Sequence, residues 1–388
     1  MNWKYLISKS FLKTNNSLVR ISKFLSLFGM LVGSFSIVIA LSIMNGFELL
    51  IKNKLIGFEG DLRISGNFNF KDIYNIDGIK KISPFIERKG VIENSEEHAI
   101  VTFKAINTEN ITGFYNIPFN GSSPDYGQIM IGQDLAIRLG IDIGDSISIF
   151  SPLDQNFGFG LPKKRSMLVC GIFFSKVLDY DNRYVFITLK DGKQLFKRKS
   201  KYFSLDVRIK ENIDLNMIKN NIIIKLKNNV SIQSWTDLNK SLVDAMKLEK
   251  LGAIIVLSLI FLVASFNLAM SLSLNSIQNL KEIGLLKAIG VSKKSIKEII
   301  IIMGFKLAGI GIIYGVSLGI IIIFLQNQFG LIPIPSEIYF LEFLPMYIDI
   351  YNIIIVLLIS LTFVFITSYI SGENISKISI IKAIKWTK

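Results

Sequence analysis

Cysteine and histidine each occur once in 388 residues, as Cys170 and His98. A single thiol excludes an intrachain disulfide framework and a cysteine-ligated metal cluster, and a single imidazole excludes a multi-histidine metal site. No G-x-x-x-x-G-K-[ST] phosphate loop occurs: the Gly192-Lys193 pair is followed by Gln194 and lacks the hydroxyl that would hold magnesium. ATP hydrolysis is therefore not expected of this chain. His98, beside Glu96 and Glu97, has no serine-and-acid framework and reads as a solvated strand residue, which disfavours a membrane-anchored hydrolase. Cys170, in Leu168-Val169-Cys170-Gly171-Ile172, reads as a buried strand residue. Proline is scarce, at eight residues, while hydrophobic residues make up 50% of the chain, so a mainly disordered state is excluded.

What is abundant is uncharged apolar sequence. Four runs are long enough to cross a bilayer: Phe24 to Met44, Leu251 to Ile277, Leu307 to Leu325 and Tyr351 to Ile370. The second is longer than the hydrocarbon core requires and is expected to project from it. The first run is too long for a cleaved signal and reads as a retained anchor.

Segments 1–23, 278–306 and 371–388 hold fifteen basic residues against three acids (Glu282, Glu298, Glu373), a net +12 of the total +14. The 326–350 loop has no Lys or Arg and carries Glu337, Glu342 and Asp349. The positive-inside rule places both termini and the 278–306 loop of this multi-pass membrane protein in the cytoplasm. The basic balance thus reports topology and contact with anionic membrane lipid, and nucleic acid is not an expected partner.

Residues 45–250 then form one extracytoplasmic domain. Asp61 to Ser65 reads as a strand, Ile73, Ile76, Ile79 and Ile82 as one helix face, and Phe85 to Glu93 and Ala99 to Ile106 as strands. Near its end come strand (Phe203 to Lys210), helix (Asp214 to Asn228) and strand (Val230 to Trp235), with a mainly β stretch between. The expected fold is four transmembrane helices plus a large extracytoplasmic α+β domain, a split subdomain (the porter-like subdomain of the family named below) with a β-rich insert at about residues 112–195. Residues 45–58 and 237–250 look helical and would continue the first two spans outward as a stalk.

Several stretches resemble the integral-membrane subunits of lipoprotein-releasing ABC transporters (the LolC/LolE type), within the macrolide-exporter and FtsX-like permease group. They are Leu41-Ser42-Ile43-Met44-Asn45-Gly46-Phe47-Glu48, Ser234-Trp235-Thr236-Asp237-Leu238-Asn239, Ala264-Ser265-Phe266-Asn267 and Ile131-Gly132-Gln133-Asp134-Leu135-Ala136. Ala383-Ile384-Lys385 is similar to the family's ending, but Ser371-Gly372-Glu373 departs from the expected proline and paired arginines. The resemblance implies a noncatalytic permease that extracts lipoproteins from the inner membrane and passes them to a periplasmic carrier. It also implies a second permease subunit, identical or homologous, and an ABC ATPase dimer that holds the ATP and magnesium, with no cofactor on this chain. Alternatives are an FtsX-like mechanotransmitting regulator of a cell-wall hydrolase and an efflux permease for a small amphiphile.

Three sets of residues carry the functional expectation. In 279–291, Ile283, Leu286 and Ile289 recur every three residues among Lys281, Glu282 and Lys287, with Gly290 as a helix stop; this reads as an amphipathic helix at the cytoplasmic face, either an interfacial anchor or the family's coupling helix to the ATPase. Ile43, Met44, Phe47 and Leu50, with Met246 and Leu251, lie at the outer-leaflet depth and suit either a lipoprotein path or stalk packing. Residues 151–165, with Pro152, Phe157, Phe159, Pro162, Lys163, Lys164 and Arg165, read as an ordinary hairpin or as the loop that recruits the carrier. Gly29 and Gly33, and Gly311, Gly315 and Gly319, place small residues four apart, a pattern for close helix packing.

Overall fold

The computed structural model describes all residues except 1–2, 14–16, 67, 75, 95–96, 153–163, 176–179, 197–202, 211–212, 227–229, 335–342 and 385–388. The chain folds as two compact units, Met1–Leu49 with Asp244–Lys388, and Leu50–Val243. In chain order the helices are α1 (Trp3–Phe11), α2 (Ser17–Glu59), α3 (Phe70–Tyr74), α4 (Gln133–Leu139), α5 (Tyr180–Arg183), α6 (Leu189–Leu195), α7 (Leu215–Leu226), α8 (Trp235–Leu238), α9 (Lys240–Gln278), α10 (Leu280–Ala288), α11 (Lys293–Phe329), α12 (Ile350–Ser376) and α13 (Ile380–Ile384). The strands are β1 (Leu62–Gly66), β2 (Ile79–Asn94), β3 (Glu97–Ile106), β4 (Phe119–Gly121), β5 (Gln128–Gly132), β6 (Ser146–Phe150), β7 (Arg165–Phe173), β8 (Tyr184–Thr188), β9 (Phe203–Ile209) and β10 (Val230–Ser234).

In the first unit α2, α9, α11 and α12 are long and apolar enough to cross a membrane, with windows of mean hydropathy between 2.3 and 2.7. The four apolar runs lie inside them, but the helices run further. With 43 residues, α2 is about 65 Å long, twice the hydrocarbon thickness, and no proline interrupts it or the 39-residue α9. Glycine sets how closely these helices approach. A Cβ on Gly29 would stand 3.1 Å from the Ala264 Cβ, and one on Gly33 would stand 3.2 Å from the Phe261 ring. On α11, Gly311, Gly315 and Gly319 lie against Leu27, Leu31 and Val38 of α2. The buried seam between them is aliphatic, with Met30, Ile37, Leu41, Leu268, Met303 and Val356 almost fully enclosed.

In the second unit the strands form one ten-stranded sheet in the order β10-β1-β9-β2-β3-β8-β5-β7-β4, with β6 pairing β2 and β7. The insert is not a separate sheet. The 16-residue β2 pairs with β9 through Ile79–Phe85, with β3 through Phe85–Asn94 and with β6 through Val91–Glu93, so one strand runs through both subdomains. The four isoleucines do not share a helix. Helix α3 stops at Tyr74, Gly78 turns the chain with φ +99°, and Ile79 and Ile82 belong to β2. All four nevertheless reach one core with Leu62, Ile64, Leu205, Val207, Ile218 and Ile222. Their three-residue spacing therefore marked a shared burial rather than a shared helix.

Candidate functional site

The 279–291 segment folds as expected into a short helix, α10, and the chain turns at Gly290, whose φ is +95°. Asn279 ties it to the helix before it, donating through Nδ2 to the Asn275 carbonyl at 2.7 Å. The apolar face is split. Leu280 and Ile283 are buried, and Leu286 packs against the membrane core, so Ile283 and Leu286 serve this chain's own packing. Leu285 and Ile289 point outward at 63% and 71% exposure, beside exposed Lys281 and Glu282. Lys287 donates to the carbonyls of Ser376 at 2.8 Å and Ile378 at 2.6 Å; burial, and then Lys293, lower its pKa. The outward stripe thus runs 281, 285, 289 at four-residue spacing, which three-residue counting missed in Leu285.

At the far end of α2, Ile43 packs on the membrane core, while Met44 and Phe47 are half-buried. The Lys250 ammonium of α9 donates to the Asn45 Oδ1 at 2.8 Å. Gly46 lets the loop before α12 lie directly on α2, because a Cβ there would strike the Pro345 carbonyl. Ser42 secures the same loop twice, its hydroxyl donating to the Tyr347 carbonyl at 3.1 Å and its own carbonyl accepting from the Tyr347 N–H at 3.0 Å. Met246 is half-buried; Leu248 and Leu251 are exposed at 68% and 56% and begin an apolar stripe along α9 through Ile255, Leu259, Leu262 and Phe266. Leu50, half-buried, belongs to the second unit.

The 151–165 loop joins β6 to β7; its Phe157, Phe159, Pro162 and Lys163 lie outside the described residues. Pro152 is exposed. Lys164 pairs with Glu93, and Arg165 pairs with Asp191 at 2.8 Å and sits 5.1 Å over the Tyr126 ring. These two cations are engaged within the domain rather than free.

A buried charge centre escaped the sequence reading. Asp206, fully enclosed on β9, accepts from Lys104 at 2.8 Å, from the Tyr115 hydroxyl at 3.0 Å and from Arg63 Nε at 3.1 Å. Arg63 also pairs with Glu87 at 3.2 Å. The Lys104 ammonium lies 4.4 to 5.3 Å from the ring centroids of Tyr115, Phe85 and Phe58, and donates to the Phe58 carbonyl at 3.2 Å. Burial pushes its pKa down against the pull of Asp206. Burial also works against the Arg63 charge, but Asp206, Glu87 and Glu59 outweigh it and hold that pKa above its ordinary value. The available signal was Lys104 standing inside the apolar run Ala99 to Ile106. The arrangement has no nucleophile beside a base and reads as a structural hub. Cys170, the one thiol, is buried with its pKa pushed up by burial to about 11.

Residues 23–237 match the MacB-like periplasmic core domain, more than half of the chain, and residues 254–380 match the FtsX-like permease C-terminal. The lipoprotein-releasing system transmembrane protein LolC of Neisseria meningitidis serogroup B is 24% identical, over 96% of this chain and 96% of that protein. LolC of Buchnera aphidicola subsp. Schizaphis graminum is 29% identical over 88% of this chain and 87% of its own, and LolE of Haemophilus influenzae is 21% identical over 97% and 96%. Among solved structures, the periplasmic region of MacB from Actinobacillus actinomycetemcomitans aligns with 50% of this chain and 97% of its own at TM-score 0.35 and 9% identity. With four helices long and apolar enough to cross a membrane and a mixed-sheet domain between the first two in sequence, the chain belongs to the MacB-like periplasmic core domain family and is similar along nearly its whole length to LolC proteins.

Proposed function

We propose that this chain is the noncatalytic permease subunit of an inner-membrane ABC transporter that extracts lipoproteins and passes them to a periplasmic carrier. The similarity to LolC proteins along nearly the full length of both chains carries the reading. Both termini lie in the cytoplasm, as the basic segments require. A separate ATPase dimer holds ATP and magnesium and seats the outward stripe of α10. A second permease subunit covers part of the exposed α9 face, and acyl chains enter near Met44, Phe47, Met246 and Leu251, where apolar side chains accept them without losing polar partners. ATP binding moves α10, and with it α2 and α9, whose length carries the displacement beyond the bilayer. Residues 151–165 receive the carrier.

The test is purification of the chain from native membranes in detergent, reconstitution with its copurifying ATPase, and assay of ATP-dependent transfer of a triacylated protein to a soluble carrier. Transfer that stops without ATP supports the reading. Copurification of a cell-wall hydrolase activator, with no transfer, would replace it by the mechanotransmitting alternative.

A further inference from the structure

We propose that Glu59 is a positioning residue, whose buried carboxylate locks the end of α2, the start of α9 and the insert together so that the two long helices move as a pair. The inference rests on the permease reading for the motion being carried, and on geometry for the lock. Glu59 is the last residue of α2, where a negative charge faces the negative end of the helix dipole. It is nevertheless buried, at 5% exposure. Each of its oxygens is taken by a different element: Oε1 accepts from the Tyr180 hydroxyl of α5 at 2.6 Å, and Oε2 from the Asn239 amide at 2.9 Å. Asn239 is the residue between α8 and α9, and its carbonyl accepts the Val243 N–H at 3.0 Å within the first turn of α9.

The neighbours leave α2 little freedom at this point. The Phe58 ring is buried against Tyr180, Tyr184 and Phe186 at 4.4, 4.9 and 5.5 Å. The carbonyls of Gly57 and Phe58 accept from Arg208 at 2.9 Å and Lys104 at 3.2 Å. These groups hold α2 to the sheet, and Glu59 extends the hold to α9. The backbone changes course on both sides of the carboxylate, at Gly60 with φ +85° and at Asn239 with φ −110° and ψ 36°. Those are the positions where a hinge would absorb a push, and hinges are a few residues at element ends. A charge-assisted bond across them removes that freedom.

The experiment uses the full permease with its ATPase in proteoliposomes. Asn239→Asp sets two carboxylates against each other, whereas Glu59→Gln combined with Asn239→Asp restores an amide facing a carboxylate and keeps an acceptor for Tyr180; the Asn239 donation to the Trp235 carbonyl, 3.1 Å, is lost in both, so their difference reports the Glu59 contact. Two readings are taken: lipoprotein released per ATP hydrolysed, and the distance distribution between nitroxides on exposed Asn53 and Ser241, with and without trapped nucleotide. Asn239→Asp is expected to lower the release ratio about five-fold, leave ATP hydrolysis running and broaden the distances, and the combined variant to return the ratio to within about two-fold of wild type. Should Asn239→Asp fail to fold, Asn239→Ala removes the donor without repulsion and is read the same way. An unchanged ratio with unchanged distances, or no recovery in the combined variant, overturns the lock. A wild-type complex that hydrolyses ATP and releases no lipoprotein overturns the permease reading instead, while the nitroxide distances still decide the lock.

Discussion

Asp206 illustrates how much one enclosed side chain can decide. It pairs with two buried cations and accepts from Tyr115, so removing it leaves Lys104 buried without its carboxylate and Arg63 with Glu87 alone. Asp206→Ala should cost about 3 to 5 kcal/mol, read as a lowered thermal midpoint of the detergent-solubilised protein. Replacing Lys104 by Met in the same background should recover part of that loss, since an unpaired buried charge is what costs most. Gly46 acts by absence. Gly46→Val should cost about 1 to 3 kcal/mol, because the new side chain displaces the Pro345 carbonyl and the paired bonds of Ser42 and Tyr347 that follow it. Normal thermal midpoints in either variant would contradict these assignments.

At the scale of the element, α10 separates two roles that its sequence blends. Ile283 and Leu286 face the chain's own core, whereas Leu285 and Ile289 are exposed. Leu285→Asp and Ile289→Asp should therefore abolish ATPase copurification with membrane insertion intact, each placing a charge at a contact where burial without a partner costs about 2 kcal/mol or more. Leu286→Asp should instead destabilise the permease itself. Equal copurification of both outward variants would reduce α10 to an interfacial anchor. The role of residues 151–165 is judged by kinetics: Phe157→Ala with Phe159→Ala should speed carrier dissociation and leave ATP hydrolysis unchanged, as apolar contacts act mainly on release. Lys164 and Arg165 of the expected basic cluster are already paired inside the domain, with Glu93 and Asp191.

At the scale of the whole chain, α2 and α9 each extend in sequence well beyond their apolar windows. A long helix carries displacement because its hydrogen-bonded ladder bends only at identifiable breaks, and α2 and α9 contain no proline. Photocrosslinkers at Met44, Phe47 and Met246 should capture lipoprotein before ATP is added and lose it afterwards. Capture of only the second permease subunit at all three positions would move the substrate path elsewhere.

The four apolar runs, the charge asymmetry around them and the strands of the split subdomain were legible in the sequence, because hydrophobic length and period-two alternation are local properties. The glycine ladders on α2 and α11 were legible as packing faces for the same reason. Other features depended on partners far along the chain. The isoleucine series crossed a turn at Gly78, the insert joined its host sheet through β2, and α10 turned Leu286 inward and Leu285 outward. Most of all, no local pattern pairs Lys104 with Asp206, 102 residues away, or Glu59 with Asn239, 180 residues away. A charged residue in an amphipathic pattern reads as solvated until the fold removes water around it, and only the tertiary structure can supply the opposite charge that makes its burial tolerable.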